Sequence, residues 1–185
     1  MPNAAMKDLR GRMEKAIDFF RNELLGVRTG RAHPALVEEI KVDYYGATTP
    51  IKQMGTVTTP EPRQILIAPW DKTALKAIEK AILASPLGVT PQNDGENIRI
   101  NLPELTRERR VDLTKLVRKY AEEARVVIRN LRREGNETFK KMEKDTLITE
   151  DARDKFLKEI QVMTDEFIKK IDQILEEKEK EIMEQ

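Results

Sequence analysis

The stretch "ARVVIRNLRREGNETFKK", residues 124–141, decides how this chain folds. Its apolar side chains return every three or four residues, the spacing of one face of an α-helix. Followed in both directions, the stripe runs through Leu113, Val117, Tyr120, Ala124, Val127, Leu131, Gly135, Thr138 and Met142. The spacing predicts a helix over 106–146, roughly 60 Å long at about 1.5 Å per residue. Thr106 is its candidate cap. Gly135 falls in the seam, where glycine costs up to about 1 kcal/mol against a better helix former and allows a local bend.

Two more stripes have the same width. Segment 4–29 places Leu9, Met13, Ala16, Phe20, Leu24 and Val27 on one face, with Gly30 as the expected stop. Segment 150–184 carries Phe156, Ile160, Met163, Phe167, Ile171, Ile174 and Ile182. Thr149 is its candidate cap, and Glu150 and Asp151 suit the positive end of the helix dipole. A narrow amphipathic helix gains most of its stability by burying its apolar face. Three such faces in one chain satisfy one another as a three-helix bundle, so a monomer is expected.

The part between reads differently. Of nine prolines, only Pro2 lies outside Pro34–Pro103. "EEIKVDYY" (38–45), "GTVTT" (55–59) and "RQILIAP" (63–69) have the β-branched, apolar pattern of strands. Asp71 can cap a helix that buries Leu75, Ile78 and Ile82 and stops before Pro86. A turn at Asp94–Gly95 leads into a strand through Ile98, Ile100 and Leu102. The expected class is therefore α+β: a bundle from 1–30 and 105–185, with a small domain from 31–104 inserted in it. The crossings, Arg31-Ala32-His33-Pro34 and Leu102-Pro103-Glu104-Leu105, are short and proline-marked, as a hinge would be. Two tyrosines in series, Tyr44 and Tyr45, point to opposite sheet faces, so at least one faces inward, and burial in the small domain is expected for these residues and Trp70 rather than base stacking.

The whole-chain charge is nearly balanced, with 34 Lys and Arg against 33 Asp and Glu. Its distribution is not. Residues 105–133 carry ten basic and four acidic side chains, and residues 171–185 carry two basic and six acidic. At 100° per residue, Arg107, Arg118, Arg125, Arg129, Arg132, Arg133 and Lys140 fall within a sector of roughly 100° along one flank of the seam. Arg132 lies closest to the apolar edge, where its stem can be buried. Two readings stand side by side. One is a solvated face with pairs such as Glu122 beside Arg118 or Arg125. The other is a strip that holds phosphates, for which arginine's planar five-donor fork is better suited than lysine.

Several chemistries are excluded. The chain has no cysteine, so there is no disulfide, no thiolate catalysis and no cysteine-ligated zinc. Its single histidine, His33, cannot assemble a metal site alone and reads as a loop residue. No G-x-x-x-x-G-K-S/T loop occurs, so the chain is not expected to bind GTP through a P-loop. No catalytic residues and no cofactor are expected. No segment approaches the roughly 20 apolar residues of a membrane span, and a soluble, cytoplasmic protein is the default.

Several stretches together resemble the ribosome recycling factor family of bacteria and organelles: "RTGRAHP" (28–34), "VDYYG" (42–46), "LTRERRVDLTKLVRKYAEEARVVIRNLRRE" (105–134) and "ITEDARDKFLKEIQVMTDEFIKKID" (148–172). The resemblance spans nearly the whole chain. It implies an L-shaped fold, with a long antiparallel three-helix bundle and an inserted α/β domain on a two-stranded hinge. It also implies a non-enzymatic translation factor that binds post-termination ribosomes and, with elongation factor G and GTP, splits them and frees the mRNA. The large-subunit rRNA contacts it implies fall on Arg129 and Arg132, with Arg133 and Arg125 beside them on the strip, and on Arg110, Arg28 and Arg31. The rival expectations are a coiled-coil adaptor or chaperone-like interaction protein without RNA binding, and an enzyme with an unrecognised carboxylate site.

Overall fold

The computed structural model describes residues 1–184. In chain order the elements are α1 (Pro2–Leu25), α2 (Ala35–Glu38), β1 (Lys41–Tyr44), β2 (Ala47–Pro50), a 3-10 turn (Ile51–Gln53), β3 (Gly55–Glu61), β4 (Gln64–Pro69), a second 3-10 turn (Lys72–Ala74), α3 (Leu75–Ala84), β5 (Pro91–Asn93), β6 (Ile98–Asn101), α4 (Arg107–Lys144) and α5 (Glu150–Met183). They form two compact units. One comprises Met1–Leu24 and Thr114–Lys180, the other Leu25–Leu113 with residues 181–184.

The first unit is the expected bundle. α4 and α5 are antiparallel, because Arg118 meets Glu179, Arg125 meets Asp172 and Arg153 meets Glu143. α1 is antiparallel to α4, with Leu9 against Gly135 and Arg12 on Glu134 at 2.7 Å near one end, and Glu23 near Glu123 at the other. Both caps form. Thr106 Oγ1, at the start of α4 in the second unit, accepts from the Arg109 amide at 3.1 Å, and Thr149 Oγ1, at the start of α5, accepts from the Ala152 amide at 3.2 Å. The Phe139 and Phe156 rings stack, with centroids 4.6 Å apart, and tie α4 to α5 near the turn that joins them.

The seams differ from the sequence reading in phase. α1 buries Ile17 where Ala16 was expected. α4 buries Ala121, Ile128 and Phe139, while Tyr120 is half-buried, Val127 is 45 % exposed and Thr138 is exposed. A core-facing stripe is wide enough to admit either neighbour, and the helices packed against it settle which one turns inward. α1 stops at Leu25, before Gly26 and short of the expected Gly30, since glycine is a poor helix former.

Gly135 has a packing reason. α4 runs without interruption from Arg107 to Lys144. A Cβ at Gly135 would lie 2.7 Å from Leu9 Cδ2 and 3.3 Å from Ile160 Cδ1. The missing side chain lets α1 and α5 both approach α4 at that level.

The second unit holds the sheets. β1 and β2 form an antiparallel hairpin turned by Tyr45 and Gly46, whose φ values are 49° and 78°. The other sheet has order β3-β4-β6-β5, antiparallel throughout, with Ile65 opposite Ile100 and Ile67 opposite Ile98. These four isoleucines are fully buried, in one cluster with Val42, Ile51 and α3's Ile78 and Ile82. Asp71 caps as expected, its Oδ1 accepting from the Thr73 amide at 2.9 Å, but the cap opens the 3-10 turn that precedes α3. The expected strand over 38–45 is shorter than its alternation suggested: residues 35–38 are helical and pairing begins at Lys41.

Burial of the aromatics does not hold as expected. Tyr45 is 81 % exposed and Trp70 is 72 % exposed, whereas Tyr44 is half-buried. Tyr45 occupies the left-handed turn position, so the strand alternation that predicted an inward ring ends before it. Trp70 follows the last residue of β4; its amide donates to the Met54 carbonyl at 3.0 Å while its ring faces out. The Tyr44 hydroxyl bonds the Asp71 carboxylate. That bond, with partial desolvation and the nearby charge, pushes the phenol up to about 12. Because the folded value lies above the ordinary tyrosine value of about 10, the bond's contribution is whole below pH 10 and fades as pH rises through about 12. Spectroscopic titration of the tyrosines should show a phenol ionising near pH 12 that is lost in Tyr44→Phe. A titration curve that keeps this step in the variant would assign it elsewhere.

Candidate nucleic-acid interface

The α4 periodicity that buries Ile128 and Leu131 turns Arg118, Arg125, Arg129, Arg132 and Arg133 away from the centre of the core, in the first unit. The structure separates them by what they touch. Arg118 bonds Glu179 of α5, which holds its proton more firmly than usual. Arg125 reaches Asp172 of α5 with Nε at 3.0 Å and Nη2 at 2.7 Å, and Glu122 with Nη1 at 3.2 Å. Burial alone would weaken its hold on the proton, but the two carboxylates outweigh that and its pKa rises. Arg129 bonds the other oxygen of Glu122, whose pKa is lowered by Arg125 first and then by Arg129. Lys140 lies 3.5 Å from Glu137.

Arg132 and Arg133 stand apart. Among the described residues neither has a hydrogen-bond or ion-pair partner. Arg132 is half-buried at the seam's edge, and Arg133 is exposed. Glu134, next along the helix, is taken by Arg12. The strip is thus a carboxylate ladder at Arg118 and Arg125, a shared carboxylate at Arg129, and an open pair of guanidinium groups at Arg132 and Arg133. Such a pair presents planar forks whose donors fit phosphate oxygens. Sequence reasoning placed these arginines on one flank but missed their partners Asp172 and Glu179. The acidic bias of residues 171–185 was the available signal.

Arg28, Arg31 and Arg110 belong to the second unit. Arg28 donates to the Pro103 carbonyl, which links the two junction segments, and its Nε is buried without a partner. Burial, then Arg109 and Arg63, lowers its pKa. Arg110 Nη1 donates to the Met183 carbonyl at 2.8 Å. Arg31 is exposed, on the rim of a cleft that Arg63 and Arg110 also line. The junction segments are held to the β3–β4 turn: the Ala32 amide donates to Pro62, the Leu102 amide to Arg63, both at 2.7 Å, and Arg63 pairs with Glu104 at 2.9 Å. His33 Nδ1 accepts from the Ala35 amide at 3.1 Å, an ordinary role at the start of α2. Among the described residues, no group of three or more His, Asp or Glu is placed to hold a metal, and no helix is long and apolar enough to cross a membrane.

The chain is similar to known proteins along almost all its length. The sequence model of the ribosome recycling factor family matches residues 20–183. The ribosome-recycling factor of Syntrophomonas wolfei is 53% identical over 97% of this chain and 97% of its own. That of Geobacillus thermodenitrificans is 51% identical, with 100% of both chains covered. Among solved structures, a solution structure of the ribosome recycling factor matches with TM-score 0.77 and 47% identity, covering 98% of this chain and 97% of that one. Another match, with TM-score 0.66, 49% identity and 99% of both chains covered, is a T. thermophilus ribosome recycling factor placed with E. coli elongation factor G on the E. coli post-termination complex. With the three-helix unit, the antiparallel sheet unit and the arginine-lined α4 all in place, these matches establish that the chain belongs to the ribosome recycling factor family.

Proposed function

We propose that this protein acts after translation termination: it binds the ribosome and, with elongation factor G and GTP, splits it into subunits and releases the mRNA. The observation that carries the reading is the unpaired guanidinium pair of Arg132 and Arg133 on α4, in a chain whose family relative is placed with elongation factor G on a post-termination complex. Arg132 and Arg133 grip phosphates of large-subunit rRNA directly. Arg129 joins them by leaving Glu122, and Arg125 contributes at the edge while it holds Asp172. Arg28, Arg31 and Arg110 supply a second set of cations beside the junctions. The segments Arg31–Pro34 and Leu102–Leu105 serve as the pivot on which the inserted domain, 31–104, moves against the bundle of 1–30 and 105–185. Chemistry resides in the partner, which hydrolyses GTP; this chain works by binding and leverage, in the cytoplasm. Family membership leaves the adaptor reading without support.

The test is subunit splitting of purified post-termination ribosomes, followed by light scattering and gradient sedimentation. Splitting is expected only when this protein, elongation factor G and GTP are all present. Intact ribosomes under those conditions, with the protein bound to them, would overturn the proposal.

A further inference from the structure

A groove of about 620 Å³ runs between α1 and α5 in the first unit. Its floor is apolar: Met6 is half-buried, Met163 is buried, and Val162 is 59 % exposed in a helix whose other apolar side chains mostly turn inward. Its rim is basic, with Lys7 and Arg10 from α1 and Lys155 and Lys158 from α5. Two carboxylates share the rim. Glu166 lies 3.7 Å from Arg10, whose guanidinium also rests 5.9 Å from the centre of the Phe167 ring. Glu159 is the other. Lys7, Lys155 and Lys158 have no ion-pair partner among the described residues. The groove therefore offers exposed Val162 and half-buried Met6 beneath a surplus of unengaged ammonium groups.

We infer that this groove docks a protein segment that is acidic and carries apolar anchors, presented by a component of the ribosomal complex. Charge complementarity selects the acidic partner. The floor selects protein over RNA. Thioether side chains adapt to aliphatic anchors, whereas no open aromatic ring is present for a base to stack on, since Phe167 already lies under Arg10 and Lys170. The rim cations without partners are lysines, in contrast to the forked arginines of α4 that suit phosphate. The inference rests on the proposed function for where the partner is met.

A photoreactive amino acid at Val162 tests it with purified ribosomes and elongation factor G, after co-sedimentation has shown binding. The expected adduct is with a protein, in a segment holding more Asp and Glu than Lys and Arg. Lys155→Glu with Lys158→Glu should cut its yield about tenfold by charge reversal while co-sedimentation persists. An adduct only with RNA, an adduct in a basic segment, or no adduct from bound protein overturns the inference. If the protein does not sediment with ribosomes, the proposed function itself falls. The groove is then decided by fluorescence polarisation with a labelled helical peptide of leucine and glutamate against one of leucine and lysine. Tighter binding of the acidic peptide by about tenfold, lost in the charge-reversed variant, sustains the groove; equal or absent binding removes it.

Discussion

Replacing Arg129 and Arg132 together by alanine is expected to weaken ribosome binding roughly a hundredfold, about 3 kcal/mol, with the melting temperature nearly unchanged. The separation of effects follows from their contacts. Arg132 has no ion-pair or side-chain hydrogen-bond partner among the described residues, so its loss removes no polar tie, only the contacts of its half-buried stem. Arg129 shares Glu122 with Arg125, which retains that carboxylate and Asp172 when Arg129 is gone. Arg125→Ala is the contrasting control. It cuts a tie between α4 and α5 and should cost stability, about 1 kcal/mol for a partly exposed pair, with a smaller loss of binding. Equilibrium binding to large subunits and thermal melts on the same preparations decide the matter. Undiminished binding by the double variant, or a drop of many degrees in its melting temperature, would remove Arg129 and Arg132 as anchoring residues.

The second large effect lies in the sheet unit. Gly55→Ala is expected to destabilise it by about 3 kcal/mol, through overpacking against main chain. Gly55 opposes Pro69 in the β3–β4 register, and an added Cβ would stand 2.4 Å from the Ala68 carbonyl oxygen and 2.6 Å from Pro69 Cα. Neither atom can swing aside as a side-chain end would, so the strands must part. Trp70, next in sequence to Pro69 and the chain's single tryptophan, reports on this unit directly. Its fluorescence transition should fall by roughly 10 °C. A transition at the parental temperature would mean that the strands absorb a methyl group at this contact.

The architecture was legible because its signal is periodic. The three stripes, the caps at Thr106 and Thr149, the Asp71 cap and the Asp94–Gly95 turn all depend on residues a few positions apart. The errors arose where neighbours compete or where strand geometry ends. Ile17 and Ile128 displaced Ala16 and Val127, since a stripe's phase is settled by the helices packed against it. Tyr45 and Trp70 point outward because each lies just past a strand. The strip was legible as an angle but not as a set of contacts. Asp172 lies 47 residues from Arg125 and Glu179 lies 61 from Arg118, separations at which only the antiparallel return of α5 makes them neighbours. Gly135 looked like a cost in the sequence because Leu9, across the bundle, could not be counted with it.

The carboxylate ladder between α4 and α5 sets how this protein should respond to ionic strength. An arginine already neutralised by Asp172 or Glu179 displaces few condensed cations when it meets RNA, because a protein anion must be released in exchange. A strip of this length would, if every arginine were free, shed an ion for each phosphate it met. Arg132 and Arg133, which have no ion-pair partner among the described residues, should by themselves contribute a slope of roughly −2 to the logarithmic dependence of affinity on salt, at about 0.9 per phosphate, and Arg118 and Arg125 should add little to it. The carboxylates of α5 that tie it to α4 would in this way keep the proposed hold on RNA gentle, as suits a factor that must let go of each ribosome it has acted on.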